Sequence, residues 1–306
     1  MHTLIVSLNP AVDCEWVVDS FRPIEKNEVH SERRWPGGKG INVARWLRWV
    51  GGSPQLFMPV GGESGNELIV GVRAEKIPLV VFPLRESTRV NVIITQRNGG
   101  PQYRLNPLWP RFTATEQREV LKALRQCVTQ VETVILSGAL PKSLPPTTYA
   151  HLVKQLRRLD KRVILDCDGA PFRLAAPEKP FLVKPNEAEL SEWAGRPLKS
   201  LDDFRTVARE LSQITDGWVL VSLGPQGALL VHHDQSFSEY QPVPKVIVRN
   251  TVGVGDAMLA AVVHGMTEGR SPSEWLYCGV QIGSEATQHP PGVLPLKRRI
   301  RRGGGR

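Results

Sequence analysis

Short apolar runs alternate along the chain with longer segments in which apolar residues recur every three or four positions. Near the start, Thr3–Leu8 and Gln55–Pro59 have the composition of strands. Asn42–Val50 and the stretch near Glu67–Glu75 have the spacing of helices. Further along, we predict helices Thr115–Val128, Thr147–Leu159, Glu187–Trp193 and Leu201–Gln213, and strands Thr133–Leu136, Arg162–Asp166, Phe181–Val183 and Trp218–Ser222. Repeated strand–helix units predict an α/β fold whose mostly parallel sheet carries helices on both faces.

Two segments, residues 13–35 and 87–107, break this alternation. Both contain β-branched stretches with alternating polarity, such as Arg89–Thr95, and no helical pattern. We expect them to pair as one small sheet that forms a lid beside the main sheet. Because the sequence has no internal repeat and no long linker, we predict that residues 1–296 form a single domain.

The excess positive charge of the chain lies mainly at its C-terminal end. The 306 residues carry 39 basic and 30 acidic side chains, a formal charge of +9. Residues 297–306 hold six of the basic groups and no acidic one, so the rest of the chain is nearly neutral. A basic segment without aromatic residues supports only weak, salt-dependent contact with nucleic acid. We predict a disordered tail at 297–306 and no specific nucleic-acid partner.

The first apolar run ends at Asn9-Pro10, too early for a membrane span or the apolar part of a signal peptide. We therefore expect no membrane partner and a cytoplasmic location. The four cysteines lie far apart and lack the spacing of zinc ligands, which argues against a structural zinc site.

The strongest chemical signal is the segment Asn250–Ala261, in which Gly253 and Gly255 precede Asp256 and a helix of small residues. Glycines at a helix N-terminus let backbone N–H groups crowd around an anion. Asp256 in the first turn is either a capping carboxylate or a base that takes a hydroxyl proton beside that anion site.

A second glycine cluster, Trp35–Ala44, precedes the first predicted helix. Lys39 is followed by glycine rather than serine or threonine, so the cluster is not a Walker phosphate loop. It is either a tight turn opening a helix or a place where a substrate approaches the backbone, with Lys39 and Asn42 as polar contacts.

Together, five ordered motifs resemble those of the phosphofructokinase-B branch of ribokinase-like kinases, from about residue 3 to about residue 290. They are Asn9-Pro10-Ala11-x-Asp13, Gly37–Ala44, Lys184-Pro185-Asn186-x-x-Glu189, Ser222–Gly227 and Gly253-x-Gly255-Asp256. The resemblance implies a three-layer αβα sandwich with a β-sheet lid that closes over a sugar. It also implies dimerisation through that lid.

The same resemblance assigns roles to single residues. Asp256 is similar to the family's proton acceptor, and the backbone of Gly253, Val254 and Gly255 to its anion hole. The implied nucleotide site holds ATP through Lys184, Asn186, Ser222, Gly224 and Gly227. Asn186 and Glu189 are implied to organise Mg²⁺ through water, which suits a hard cation that retains its hydration.

On the sugar side, the resemblance implies contacts from Asp13, Gly38, Lys39 and Asn42. Arg89, Asn91 and Ser137 resemble residues of 1-phosphofructokinases and tagatose-6-phosphate kinases that face a phosphorylated acceptor. Charge-assisted hydrogen bonds from cationic side chains bind a phosphate group strongly. We therefore expect fructose 1-phosphate, fructose 6-phosphate or tagatose 6-phosphate as the acceptor.

Two alternatives remain open at this point. One is a kinase of an unphosphorylated sugar or a nucleoside on the same fold. The other is a degenerate, non-catalytic kinase fold whose basic tail contacts nucleic acid. The sequence also departs from the family after Gly292, where a final helix is expected and the basic tail stands instead.

Overall fold

The computed structural model describes residues 2–108, 110–234 and 236–296. The predicted basic tail, residues 297–306, lies outside the described residues. The division into one domain with a lid and a tail stays a prediction.

A nine-stranded sheet forms the centre of the molecule, in the order β13-β12-β11-β10-β9-β8-β1-β4-β5. Its strands are β1 (His2–Val6), β4 (Ser53–Val60), β5 (Leu79–Pro83), β8 (Thr133–Ser137), β9 (Arg162–Asp166), β10 (Leu182–Val183), β11 (Trp218–Ser222), β12 (Gly227–His232) and β13 (Phe237–Pro242). Neighbouring strands are parallel from β5 to β11, and β11, β12 and β13 pair antiparallel at one edge. The predicted mostly parallel sheet is confirmed.

Helices cover both faces of this sheet. In the described residues they are α1 (Lys39–Trp49), α2 (Gly62–Ala74), α3 (Ala114–Cys127), α4 (Thr148–Arg157), α5 (Gly169–Ala175), α6 (Glu187–Ala194), α7 (Leu201–Thr215), α8 (Val254–Thr267) and α9 (Pro272–Ala286). Successive strand side chains point to opposite faces. In β9, accordingly, Val163 and Leu165 join the core under α3–α7, while Ile164 joins the core under α1, α2, α8 and α9. This is the predicted three-layer arrangement.

A second sheet has the order β3-β2-β6-β7. Its strands are β2 (Ala11–Val18), β3 (Ser31–Gly37), β6 (Arg89–Gln96) and β7 (Tyr103–Leu105). β2 pairs with β3 antiparallel and with β6 in parallel, and β6 pairs with β7 antiparallel. The strands come from the two segments that broke the strand–helix alternation, so the predicted small sheet is present.

Several elements were absent from the sequence prediction. Strand β5 was overlooked because prolines at 78 and 83 flank its apolar run, and proline weakens a strand assignment. The β12–β13 hairpin, the short helix α5 and the long helix α9 were also not foreseen. No helix among the described residues is both long and apolar enough to cross a bilayer.

Candidate active site

Polar side chains gather where the parallel strands of the main sheet end. Ser137 and Asp166 are the last residues of β8 and β9, Lys184 follows β10, and Ser222 ends β11. Ligands of open parallel sheets bind in the crevice beyond these carboxyl ends. Four residues from distant parts of the sequence therefore line one edge.

Asp256 lies in the first turn of α8, which begins after Gly253 in a left-handed conformation with φ of 76°. The side chain is buried, with 6% exposure, and its Oδ2 accepts a hydrogen bond from Asn42 Nδ2 at 2.8 Å. Burial and the nearby Asp166 raise the pKa of Asp256 to about 6, against the opposing effects of Lys184, Asn42 and Lys39. A carboxylate with such a pKa can accept a proton near neutral pH.

The first N–H groups of a helix have no partner within the helix. At α8 these belong to Val254, Gly255 and Asp256, because the first helical hydrogen bond runs from Ala257 N to Gly253 O. Lys184 lies beside this helix start, with its Nζ 3.4 Å from the position that a Cβ on Gly255 would take. Positive charge and free N–H groups meet here, as an anion site requires.

Asp166 is the centre of a buried ion cluster that the sequence analysis did not assign. Its Oδ1 lies 3.2 Å from Lys184 Nζ and 3.5 Å from Lys39 Nζ, and Ser137 Oγ donates to its Oδ2 at 3.4 Å. Burial alone would raise the pKa of Asp166, but Lys184 and Lys39 outweigh it and hold the pKa below its ordinary value. Asp166 in turn raises the pKa of Lys39, so Lys39 stays charged at the site.

Asn186 and Glu189, the predicted metal pair, form a capping box at the start of α6. Asn186 Oδ1 accepts from Glu189 N and Glu189 Oε2 accepts from Asn186 N, each at 2.9 Å. The remaining carboxylate oxygen, Glu189 Oε1, lies 3.8 Å from Lys39 Nζ. The pair therefore offers an amide oxygen and carboxylate oxygens, which can accept hydrogen bonds from the water shell of Mg²⁺.

The predicted nucleotide turn follows β11. Gly224 has a positive φ of 50°, and Leu223 N donates to Gly227 O at 2.8 Å across the turn. A Cβ on Gly227 would lie 2.0 Å from Gln241 O, so only glycine fits between the turn and β13. Asn186 and Ser222 form a bridge, which brings the turn beside the capping box.

On the second sheet, Asp13 is paired with Asn91. Asn91 Nδ2 donates to Asp13 Oδ1 at 2.7 Å, and burial raises the pKa of Asp13 despite this hydrogen bond. A Cβ on Gly37 would lie 2.2 Å from Asp13 Oδ2, so this glycine, on the strand paired with β2, makes space for the carboxylate. Gly38, with φ of 99°, then opens α1.

Arg89 lies next to this pair and donates from Nη2 to Asn9 O at 3.0 Å. Burial lowers the pKa of Arg89, and the charge of Asp13 opposes that effect. Among the described residues, Arg89 Nε, Asn91 Oδ1 and Asn9 Oδ1 are buried and have no hydrogen-bond partner. Buried polar atoms without partners are costly and rare. A polar ligand between β2, β6 and the end of β1 would satisfy them.

The structure thus brings the predicted residues into connected groups. Lys39, Ser137 and Lys184 meet at Asp166, and Asn42, predicted as a sugar contact, bonds to Asp256. Sequence reasoning missed Asp166, although an acid at the end of a buried strand in a parallel sheet is itself a signal. It also gave no role to the side chain of Asn9.

Comparison with known proteins adds independent evidence. Residues 3–298 match the model of the pfkB family of carbohydrate kinases. The ATP-dependent 6-phosphofructokinase isozyme 2 of Mycobacterium tuberculosis (strain CDC 1551 / Oshkosh) is 34% identical over 286 residues, or 92% of this chain and 82% of that protein.

Solved structures agree. Phosphofructokinase-2 of Escherichia coli in complex with substrates and products superposes with a TM-score of 0.87 and 30% identity, covering 94% of this chain and 93% of that one. The tetrameric inhibited form of that enzyme gives a TM-score of 0.88 and 30% identity, over 94% of each chain. The predicted ribokinase-like fold is confirmed. The chain belongs to the pfkB family of carbohydrate kinases and is an ATP-dependent sugar kinase, as its motifs predict.

Proposed function

We propose that this chain transfers the γ-phosphoryl group of ATP to a hydroxyl of a ketohexose phosphate, with fructose 6-phosphate as the foremost candidate. The observation that carries the proposal is Asp256, a buried carboxylate with a pKa of about 6 at the N-terminus of α8. The named relatives, a 6-phosphofructokinase and a phosphofructokinase-2, favour a phosphorylated ketohexose.

In this reaction Asp256 takes the proton of the acceptor hydroxyl as its oxygen attacks the γ-phosphorus. The bond from that phosphorus to the bridging oxygen breaks, and ADP leaves. The N–H groups of Val254 and Gly255 face the phosphoryl oxygens, on which negative charge is spread in the transition state. General-base catalysis of this kind contributes about 10²- to 10⁴-fold to a rate.

Lys184 and Lys39 supply the positive charge for the nucleotide and the transferred group. Both ammonium groups are held by Asp166, so they are in position before a substrate arrives. Asn186 and Glu189 would hold Mg²⁺ through water, and the ion would neutralise phosphate charge. Ser222, Gly224 and Gly227 border the nucleotide at the adjacent strand end.

Asp13 accepts hydrogen bonds from the sugar hydroxyls, and Arg89 and Asn91 bind the acceptor's phosphate. The half-buried Arg89, whose Nε is buried and has no hydrogen-bond partner, suits this role, because arginine binds phosphate through several N–H groups at once. Gly38, at the start of α1, and Ser137, at the end of β8, contact the sugar. A free sugar would leave Arg89 Nε buried and without a hydrogen-bond partner.

The second sheet is the proposed lid and the proposed contact between copies of the chain. Ile24, Tyr103 and Leu105, in and beside this sheet, are exposed apolar side chains, and apolar surface favours association. A tetrameric form is known for the Escherichia coli phosphofructokinase-2. We propose a homodimer through the lid and a cytoplasmic location, where ATP and phosphosugars are available.

The proposal is tested by Mg²⁺-dependent ADP release with fructose 6-phosphate, fructose 1-phosphate, tagatose 6-phosphate, free fructose and ribose. The parent is expected to turn over a ketohexose phosphate, and Asp256→Asn to lose about 10²- to 10⁴-fold in kcat. Turnover confined to free sugars would contradict the acceptor assignment and leave the kinase assignment intact. Full activity of Asp256→Asn would contradict the base assignment.

A further inference from the structure

A buried arginine lies one side chain away from the proposed base. Arg45, on α1, has 3% exposure, and its Nη1 donates to Asn42 Oδ1 at 2.8 Å. The Nδ2 of the same amide donates to Asp256 Oδ2 at 2.8 Å. Arg45, Asn42 and Asp256 therefore form one continuous chain of hydrogen bonds from the first helix to the base.

The orientation of the Asn42 amide follows from hydrogen-bond chemistry. A guanidinium has only donors, so the amide atom that faces Arg45 must be the carbonyl oxygen. The amino group of Asn42 then necessarily faces Asp256, where it can donate and cannot accept. A donor favours the ionised carboxylate over the protonated one. With Arg45 in place, the amide supports the form of Asp256 that takes up a proton.

Arg45 is itself fixed by Glu75, the residue that directly follows α2. Nε and Nη2 of Arg45 donate to the two carboxylate oxygens of Glu75, each at 2.7 Å, in a bidentate pair. Nη2 also donates to Pro36 O at 2.7 Å, next to the glycine that accommodates Asp13. The guanidinium of Arg45 thus links strand β3 to the Asn42 amide that donates to Asp256.

We propose that Arg45, held by Glu75, is a positioning residue for phosphoryl transfer: it locks the Asn42 amide so that its amino group donates to Asp256. The proposal rests on the proposed role of Asp256 as the base. Arg45 touches neither substrate directly. It acts by keeping Asp256 ionised and correctly aimed.

Other charged groups also face Asp256, and the test must hold them constant. Asp166 from β9, Lys184 after β10 and Lys39 from α1 all influence its pKa. None of the variants below changes these three residues. The acceptor's phosphate has its own ionisation near pH 6, but this is the same for every variant. A shift between variants therefore reports on the enzyme.

The experiment compares the pH dependence of kcat in Arg45→Lys, Glu75→Gln and the parent. Lysine keeps the charge but cannot hold Asn42, Pro36 and Glu75 with one planar fork. We expect kcat of Arg45→Lys at pH 7 to fall about tenfold. The acid limb, the part of the pH profile in which kcat falls as Asp256 is protonated, should move up by about half to one pH unit. KM for the sugar phosphate should change little. Glu75→Gln should move the limb in the same direction by less.

Glu67→Gln is the matched control. Arg34 and Glu67 also form a bidentate pair, with distances of 2.8 and 2.7 Å, but theirs is half-exposed and does not touch Asn42. We expect its acid limb to superimpose on that of the parent. A role of Arg45 in packing alone would lower the melting temperature without moving the limb.

A folded Arg45→Lys with the parental kcat and acid limb would overturn the proposal. If that variant does not fold, Glu75→Gln decides, because the Glu75 side chain is partly exposed and borders a surface cavity of about 430 Å³. An unchanged limb there has the same meaning. An active Asp256→Asn would instead overturn the base assignment, whatever Arg45 does.

Discussion

Asp166 and Asp256 are both buried carboxylates at the edge of one site, yet their pKa values move in opposite directions. Asp166 has two ammonium groups within 3.5 Å, and they hold its pKa below the ordinary value. Asp256 has one amide donor and the charge of Asp166 nearby, and its pKa rises to about 6. Because both carboxylates are buried, the neighbouring charged and polar groups determine the direction in which each pKa moves.

The difference divides the chemistry between the two groups. Asp166 is a permanent charge that fixes Lys39 and Lys184 in place. Asp256 changes its protonation state near neutral pH, as a general base must. The negative charge of Asp166 also contributes to the raised pKa of Asp256, so the permanently charged group helps to set the pH at which Asp256 binds its proton. Substitution of either aspartate tests this difference.

The largest effect is expected from Asp166→Asn. The change leaves the buried ammonium group of Lys184 and the half-buried one of Lys39 facing a neutral amide, so the free energy of unfolding should fall by about 3–5 kcal/mol. Urea denaturation at pH 7.5 measures it. The control is Asp216→Asn, which weakens an ion pair of similar length with Lys179, 3.1 Å, at the surface. There the loss should be under about 1 kcal/mol. Equal losses in the free energy of unfolding of the two variants would show that Asp166 stabilises the fold no more than a surface ion pair does.

Asp256→Asn should have a smaller effect on stability and the opposite sign. A carboxyl with a raised pKa in the folded state favours folding while protonated, and that contribution is lost as pH rises from about 4 to about 6. At pH 7.5 the variant should therefore be the more stable protein, by up to about 3 kcal/mol. The advantage should vanish below about pH 4. A variant less stable than the parent at pH 7.5 would contradict the raised pKa.

Much of this site was predictable because its residues belong to contiguous motifs. Asp256 follows its glycines directly, and Lys184, Asn186 and Glu189 lie within six residues of one another. Their local structure, a glycine-initiated helix and a capping box, forms from neighbours in sequence. The strand–helix alternation similarly predicted the layers and the parallel sheet from local periodicity.

Asp166 and Arg45 could not be assigned in this way. The partners of Asp166 are 127 and 18 residues away, and only strand order in the folded sheet brings the three together. Arg45 is predictable as a helical residue three positions after Asn42, but its pair with Glu75 depends on how α1 and α2 pack.

The central claim is that Asp256 is a buried base with a pKa near neutrality beside a permanently ionised Asp166. A pH titration of the protein labelled with ¹³C at the aspartate carboxyl carbons tests it most directly, with Asp256→Asn and Asp166→Asn assigning the two signals. We predict that the Asp256 signal titrates at about pH 6 and that the Asp166 signal stays that of a carboxylate from pH 5 to 8. An Asp256 signal that titrates at the ordinary value of about 4 would contradict the account.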